Sequence, residues 1–272
     1  RSRGKREFQM KTAKTADYGN CESAIQNACA QMAAANAVAR MWKKDAALWK
    51  DDEAHKKLIN NSLGWLDAPR FSLKRCAEIK KFAQEVKKAG FKDAVLLGMG
   101  GSSLAPEVLR SVFGAKPGFP KLHVLDSTDP DWLLAVERKI NCAQTLFIFS
   151  SKSGTTIEPN SFFKYFWAKT AAAKKNPGEN FIAITDPGTY LNNLAKELKF
   201  RKIFLNPPDI GGRFSALSLF GMVPAALCGI DIERLLKIAV NAEKTFRKNP
   251  AQNPAALLGA VLGACALMML AL

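Results

Sequence analysis

Five short apolar runs, each released into a loop of small or polar residues and then into a helical pattern, constrain this chain most. They are Asp93 to Leu97, Leu122 to Leu125, Thr145 to Phe149, Phe181 to Thr185 and Lys202 to Leu205. Each is too short for a helix, and the central ones lack the polar alternation of a half-solvated strand. They read as strands covered on both faces. A strand–loop–helix order repeated in this way implies right-handed crossovers and a parallel sheet. The expected fold class is therefore α/β, a doubly wound five-stranded parallel sheet with flanking helical segments. All the informative loops follow strands, so they collect at the carboxyl edge, where such sheets meet ligands.

Around that unit the chain divides into segments. Residues 1–20 read as a basic tail or linker. Residues 21–90 read as helical: a first helix from Cys21 to Trp49, a second from Asp51 to Asn61, a break at LGWLDAP, and a third from Ser72 to Ala89 closed by Gly90. Asn60, Asn61 and Trp65 suit packing and turns. This helical start contains no cluster of catalytic residue types. Residues 91–230 form the alternating α/β domain, and 231–272 C-terminal helices.

The loop after the third run carries the most chemistry. In SSKSGTTIEPN, hydroxyls, one lysine and one glycine are fed straight into a helix N-terminus. Free N–H groups and the positive dipole end suit a dianion there. Lys152 supplies a point charge, and Gly154 allows a tight curl. A well-capped crossover helix is the competing reading, since Thr155-x-x-Glu158 fits a capping box. That box leaves the lysine and the additional serines unexplained. A second loop, GMGGSS at 98–103, repeats the pattern of small residues and hydroxyls. Two such loops in one sheet point to a phosphorylated ligand. A third, PPDIGGRFS at 207–215, brings paired glycines and Arg213, a fixed cation able to stabilise a developing enolate oxygen or simply to pair with a carboxylate. A dinucleotide fingerprint is a near miss: Ser103 replaces the third glycine of G-x-G-x-x-G, although Asp126 ends the next strand. No Walker A sequence is present.

Composition narrows the partners. Over 272 residues, 40 Lys and Arg against 24 Asp and Glu give a formal charge of +16, which suits anionic ligands. The basic residues are dispersed outside the N-terminal stretch and accompany no nucleic-acid-binding module, so no nucleic-acid partner is expected. The six cysteines show no C-x-x-C, and there are two histidines; a metal site is not expected, and reduced cytoplasmic thiols are. The N-terminal residues are basic and polar and lack the apolar core of a signal peptide. Ala255 to Leu272 is one apolar run, readable as a membrane span or as a buried core helix.

Taken together, GMGGSSLAPEVL, SKSGTTIEPNSF and GGRFSALS resemble, in order and spacing, the first sugar-isomerase domain of the glucose-6-phosphate isomerase (phosphoglucose isomerase) family. RMWKKDAALW, INNSLGWLD and LHVLDSTDP are similar to the isomerase part of bacterial bifunctional transaldolase/glucose-6-phosphate isomerases. The resemblance covers roughly Val38 to Leu272. It implies an aldose–ketose isomerase interconverting glucose 6-phosphate and fructose 6-phosphate through a cis-enediolate, in glycolysis and gluconeogenesis, with no cofactor. Position by position, it implies that Gly101 and Ser102 contact the substrate. Ser151, Lys152, Ser153 and Thr156 would cradle the phosphate, and Arg213 would stabilise the enediolate. The family's catalytic glutamate, histidine and lysine have no counterpart at a matching position here; His55 and His123 are not that histidine. The expectation is a fragment that carries the phosphate-binding part, lacks the base and is inactive alone, with a non-catalytic sugar-phosphate-binding module as the alternative. The resemblance also favours the core-helix reading of the terminal run, hence no membrane partner. It leaves room for a homodimer and for a fused transaldolase domain preceding the chain.

Overall fold

The computed structural model describes residues 18–270. Most of the tail expected over residues 1–20, and the last two residues of the terminal apolar run, lie outside them. The chain divides into two compact units, one from Lys44 to Ala242 and one joining the chain up to Lys43 with Glu243 onward.

In chain order the helices are α1 (Glu22–Ala34), α2 (Ala37–Trp42), α3 (Glu53–Asn60), α4 (Ala68–Lys88), α5 (Leu104–Phe113), α6 (Pro130–Glu137), α7 (Ile157–Ala173), α8 (Tyr190–Glu197), α9 (Leu219–Leu227), α10 (Ile232–Phe246) and α11 (Pro254–Leu270). The strands are β1 (Asp93–Leu97), β2 (Lys121–Leu125), β3 (Thr145–Ser150), β4 (Phe181–Thr185) and β5 (Lys202–Leu205). All five form one parallel sheet in the order β2-β1-β3-β4-β5. The α/β class and the five-stranded parallel sheet are thus as the sequence implies.

The strands read as unbroken apolar runs because both of their faces are buried. Their alternate side chains divide between two cores. Ala94, Leu96, Leu146, Ile148, Ile182 and Ile184 point to the face covered by α4 and α9. Val95, Leu97, Phe147, Phe149, Phe181 and Ala183 point to the face covered by α7 and α8. The second core is largely aromatic: Phe147 stacks on Phe166 and on Phe181, each at 4.9 Å between ring centroids. On the first face, α4 contributes Cys76, Ile79, Phe82, Ala83 and Val86, a helical stripe. All nine residues of α9 are buried.

Strand order reverses between β1 and β3: the chain steps outward from β1 to β2, then returns to β1's other side. That is the switch point at which an open α/β sheet leaves a crevice beyond its strand ends. The loops after β1 and β3 flank it.

Three local expectations change. The long helix over Cys21 to Trp49 is interrupted, because Asn36 takes a left-handed conformation at φ 50° and Lys44 another at φ 57°. Asn is among the few residues that tolerate this geometry, and it ends a helical run. The third helix begins at Ala68, so Pro69 sits in its first turn, where the missing N–H costs nothing. The capping box over Thr155 and Glu158 does not form. Helix α7 starts at Ile157 with Thr156 at its N-cap position and no side-chain cap hydrogen bond. The Thr155 hydroxyl pairs instead with that of Ser153 at 2.8 Å.

In the other unit, Ile25 of α1 is buried with Ala260 and Ala264 of α11. Among the described residues no helix is long and apolar enough to cross a membrane.

Candidate functional site

A cavity of about 430 Å³ opens at the switch point. Its walls include Gly101, Ser102, Ser151, Lys152, Ser153 and Thr156. All six phosphate- or substrate-binding candidates from the sequence therefore face one space. They come from two strand–helix loops that sit side by side because β1 and β3 are paired.

The loop after β3 is held by its own hydrogen bonds. The Gly154 N–H donates to Ser151 Oγ at 3.0 Å, and the Thr155 N–H to Ser153 Oγ at 3.2 Å. Each serine oxygen is used as an acceptor; the Ser151 hydroxyl proton stays available to an oxyanion, while the Ser153 hydroxyl is paired with that of Thr155. Gly154 has φ +76°, and a Cβ there would stand 2.5 Å from Leu191. Conformation and space both demand glycine. Asn160, one turn into α7, donates from Nδ2 to the carbonyls of Gly154 at 2.7 Å and Thr156 at 2.8 Å. It ties the loop to the helix it feeds. Because Thr156 supplies no side-chain cap, the first N–H groups of α7 have no acceptor from that residue, and the positive end of a 17-residue helix faces the loop.

Lys152 is held at both ends. Its carbonyl accepts from the Asp186 N–H at 3.2 Å and from Thr185 Oγ1 at 3.0 Å. Its Nζ donates to Asp186 Oδ2 and to the Pro208 carbonyl, each at 2.5 Å. Burial raises the Asp186 carboxyl above its ordinary pKa, and the Lys152 ammonium draws it back. Asp186 and Thr189 also line the cavity. Sequence reasoning does not single out Asp186, which directly follows β4. Its position at the carboxyl edge, next to the lysine loop's strand, is the available signal. Asn160 offers none, since its role lies in a contact six residues back.

The loop after β1 turns on Gly100, at φ +53°. The loop carrying Arg213 then packs onto it: Ser215 Oγ donates to the Gly101 carbonyl at 2.9 Å. Behind it, Trp65 stacks on Phe214 with ring centroids 5.8 Å apart, and the Gly64 N–H donates to the Asp209 carbonyl at 2.8 Å. The LGWLD segment therefore serves as a brace for this loop. Gly212 lines the cavity. Arg213 itself is exposed beside it, outside the lining residues, and its side chain makes no hydrogen bond or ion pair among the described residues. The cavity wall carries one carboxylate, Asp186, and no histidine among the described residues.

Fold and cleft define a doubly wound α/β domain with a hydroxyl- and glycine-rich cavity at its topological switch point. The family model for phosphoglucose isomerase matches residues 73–271, and the chain belongs to that family. It is 36% identical over 221 residues to the glucose-6-phosphate isomerase of Carboxydothermus hydrogenoformans, covering 76% of this chain and 47% of that protein. It is 31% identical over 202 residues to a glucose-6-phosphate isomerase of Thermus thermophilus, covering 71% and 47%. Among solved structures, a hypothetical protein from Thermus thermophilus superposes with a TM-score of 0.73 at 26% identity, over 89% of this chain and 55% of that one. A glucose-6-phosphate isomerase from Chlamydia trachomatis shares the fold, with a TM-score of 0.69 at 22% identity over 89% and 49%. The chain thus spans about half the length of the curated relatives it matches.

Proposed function

We propose that this chain supplies the phosphate-binding part of a glucose-6-phosphate isomerase. The observation that carries the reading is the convergence of Ser151, Lys152, Ser153 and Thr156 with Gly101 and Ser102 on one cavity. The hydroxyls and the α7 N-terminus would hold the phosphate of an open-chain sugar, with Lys152 contributing charge. Gly101 and Ser102, across the switch point, would contact the sugar itself. Aldose–ketose exchange moves a proton between adjacent carbons and leaves negative charge on oxygen in the enediolate. Arg213, a cation with no partner among the described residues, is suited to that charge. Anchoring the remote phosphate would spend binding energy on orienting the reacting carbons.

A proton shuttle needs a base, and among the described residues the cavity wall offers none that is free: Asp186 is engaged by Lys152. We therefore expect the 272-residue chain to bind sugar phosphate without isomerising it. The same observation favours the second reading, a non-catalytic sugar-phosphate-binding module. Cytoplasmic location, a homodimeric assembly and a preceding transaldolase domain belong to the isomerase reading only. Light scattering on the native protein tests the dimer.

Calorimetric titration of fructose 6-phosphate tests the binding. Thr156→Ala, which removes a hydroxyl with no cap role, and Lys152→Ala should each weaken affinity about tenfold or more. Unchanged affinity in both variants, with folding intact, overturns the cradle. Normal turnover by the isolated chain in a coupled assay overturns the expectation of inactivity.

A further inference from the structure

The cavity contains one buried acid that the binding scheme leaves unused. Asp186 is 5% exposed. Its Oδ2 is met by Lys152, while its Oδ1 is buried with no hydrogen-bond partner. An ionised carboxylate in such a place depends on the charge beside it. Here that charge belongs to Lys152, the one lysine in the cavity wall among the described residues.

We propose that oxyanion binding in this cavity is proton-linked. Asp186 acts as a positioning residue that holds the Lys152 ammonium at the wall of the empty cavity, and it takes up a proton from solvent when an oxyanion draws on that ammonium. The proposal rests on the phosphate-binding reading above and names how that site is regulated.

Lys152 is tied to Asp186 through both its backbone and its ammonium. Its carbonyl is fixed by the Thr185–Asp186 turn, and its ammonium is shared between Asp186 and the Pro208 carbonyl. The Lys152 side chain is 41% exposed, so an incoming dianion can meet the ammonium where it stands. It then adds negative charge close to a buried carboxylate whose partner is now divided between two anions. A like charge brought beside a buried carboxylate raises the cost of keeping it ionised, and the acid is the group that can neutralise. The other charged groups around Asp186 reinforce this direction. From the loop after β5, Asp209 repels it. Lys44 is taken up with Asp209 at 3.2 Å and with Asp67 at 2.9 Å. From the α8 side, Thr189 offers a neutral hydroxyl, which donates to the Asp186 carbonyl at 3.0 Å. The carboxyl O–H bond forms as hydronium or a buffer acid gives up its proton, and no other co-reactant is required.

Inorganic sulfate is the suitable probe, because it stays a dianion and does not itself titrate from about pH 5 to about pH 8. Titrated calorimetrically into the 272-residue chain, it should bind more weakly as pH rises, with a slope approaching about tenfold per unit. In buffers of different ionisation enthalpy, the heats should reveal net proton uptake. Asp186→Asn should bind sulfate with an affinity that no longer depends on pH, and at least as tightly as the parent at the alkaline end. A purely structural role would lower affinity in that variant and leave the slope intact. A pH-independent affinity in the parent, or a slope retained in Asp186→Asn, overturns the proposal while the phosphate cradle stands. Sulfate and fructose 6-phosphate both failing to bind overturns the two together. Should Asp186→Asn not fold, the buffer dependence of the parent's heats decides alone: proton uptake supports the proposal, and its absence overturns it.

Discussion

The carbonyl oxygen of Gly212 occupies the space that a Cβ on Gly101 would need. Two loops separated by more than a hundred residues are thus pressed backbone to backbone, and the contact sets the loop of Arg213 against the loop of Ser102. The obstacle is main chain on both sides, so no side chain can rotate out of the way.

Gly101→Ala should therefore cost about 1–3 kcal/mol of stability, the range for overpacking a close contact. It should also weaken sugar-phosphate binding, since both loops must move apart. Gly100→Ala is the control. It sits at φ +53° with open space around it, so it should lose only about 1 kcal/mol, the cost of a left-handed non-glycine residue. Denaturant midpoints and calorimetric titrations of the pair separate a packing requirement from a conformational one. Equal behaviour would mean that the Gly101–Gly212 approach does not matter.

Asn160→Ala removes both amide donations that tie the loop after β3 to α7. Neutral hydrogen bonds of this kind contribute about 1 kcal/mol each, so a destabilisation of about 1–2 kcal/mol is expected. The larger effect should fall on affinity for sugar phosphate, because the loop loses its preset shape. Asn160→Asp keeps the size but turns a carboxylate toward the same two carbonyls, so it should weaken affinity at least as much as the alanine variant. Retention of full affinity in both would show that the loop holds its shape by the serine contacts alone.

Phe147→Ala isolates the fold from the site. Phe147 is fully buried between Phe166 and Phe181, on the face of the sheet covered by α7. Losing it should cost about 3–5 kcal/mol. In whatever fraction of molecules stays folded, sugar-phosphate affinity should remain close to that of the parent. Urea unfolding followed by calorimetry at low temperature checks both halves of that expectation.

Why some of this is readable in the sequence follows from where each feature takes its energy. Strand β3 is apolar from Leu146 to Phe149 because both of its faces are covered, and a covered strand announces itself in residue type alone. The lysine loop is readable because a strand, a glycine and a helix start are adjacent in sequence. The partner of Lys152 is not, because Asp186 reaches it through the pairing of β3 with β4. The brace formed by Trp65 against Phe214 depends on chain segments about 150 residues apart. The capping-box reading fails for a local reason: Ser153 captures the Thr155 hydroxyl, and the helix begins one residue beyond where the box requires.

Acid sensitivity offers a test away from the cavity. Glu233 accepts from Lys237 Nζ at 2.6 Å and from Lys80 Nζ at 2.8 Å. Those two donors, Lys237 foremost, hold its carboxyl down at about 2 against an ordinary 4.5. A depressed acid stabilises the fold in its ionised form. Its contribution is complete above the unfolded value and is lost as pH falls from about 4.5 toward about 2. Glu233→Gln should therefore lie below the parent in denaturant midpoint at neutral pH, and the two should converge in acid. Because all three groups are near the surface, added salt should narrow the neutral-pH gap as well. A gap that stays constant from neutral to acid pH would mean that the two lysines do not depress Glu233, and that the variant acts through helix packing instead.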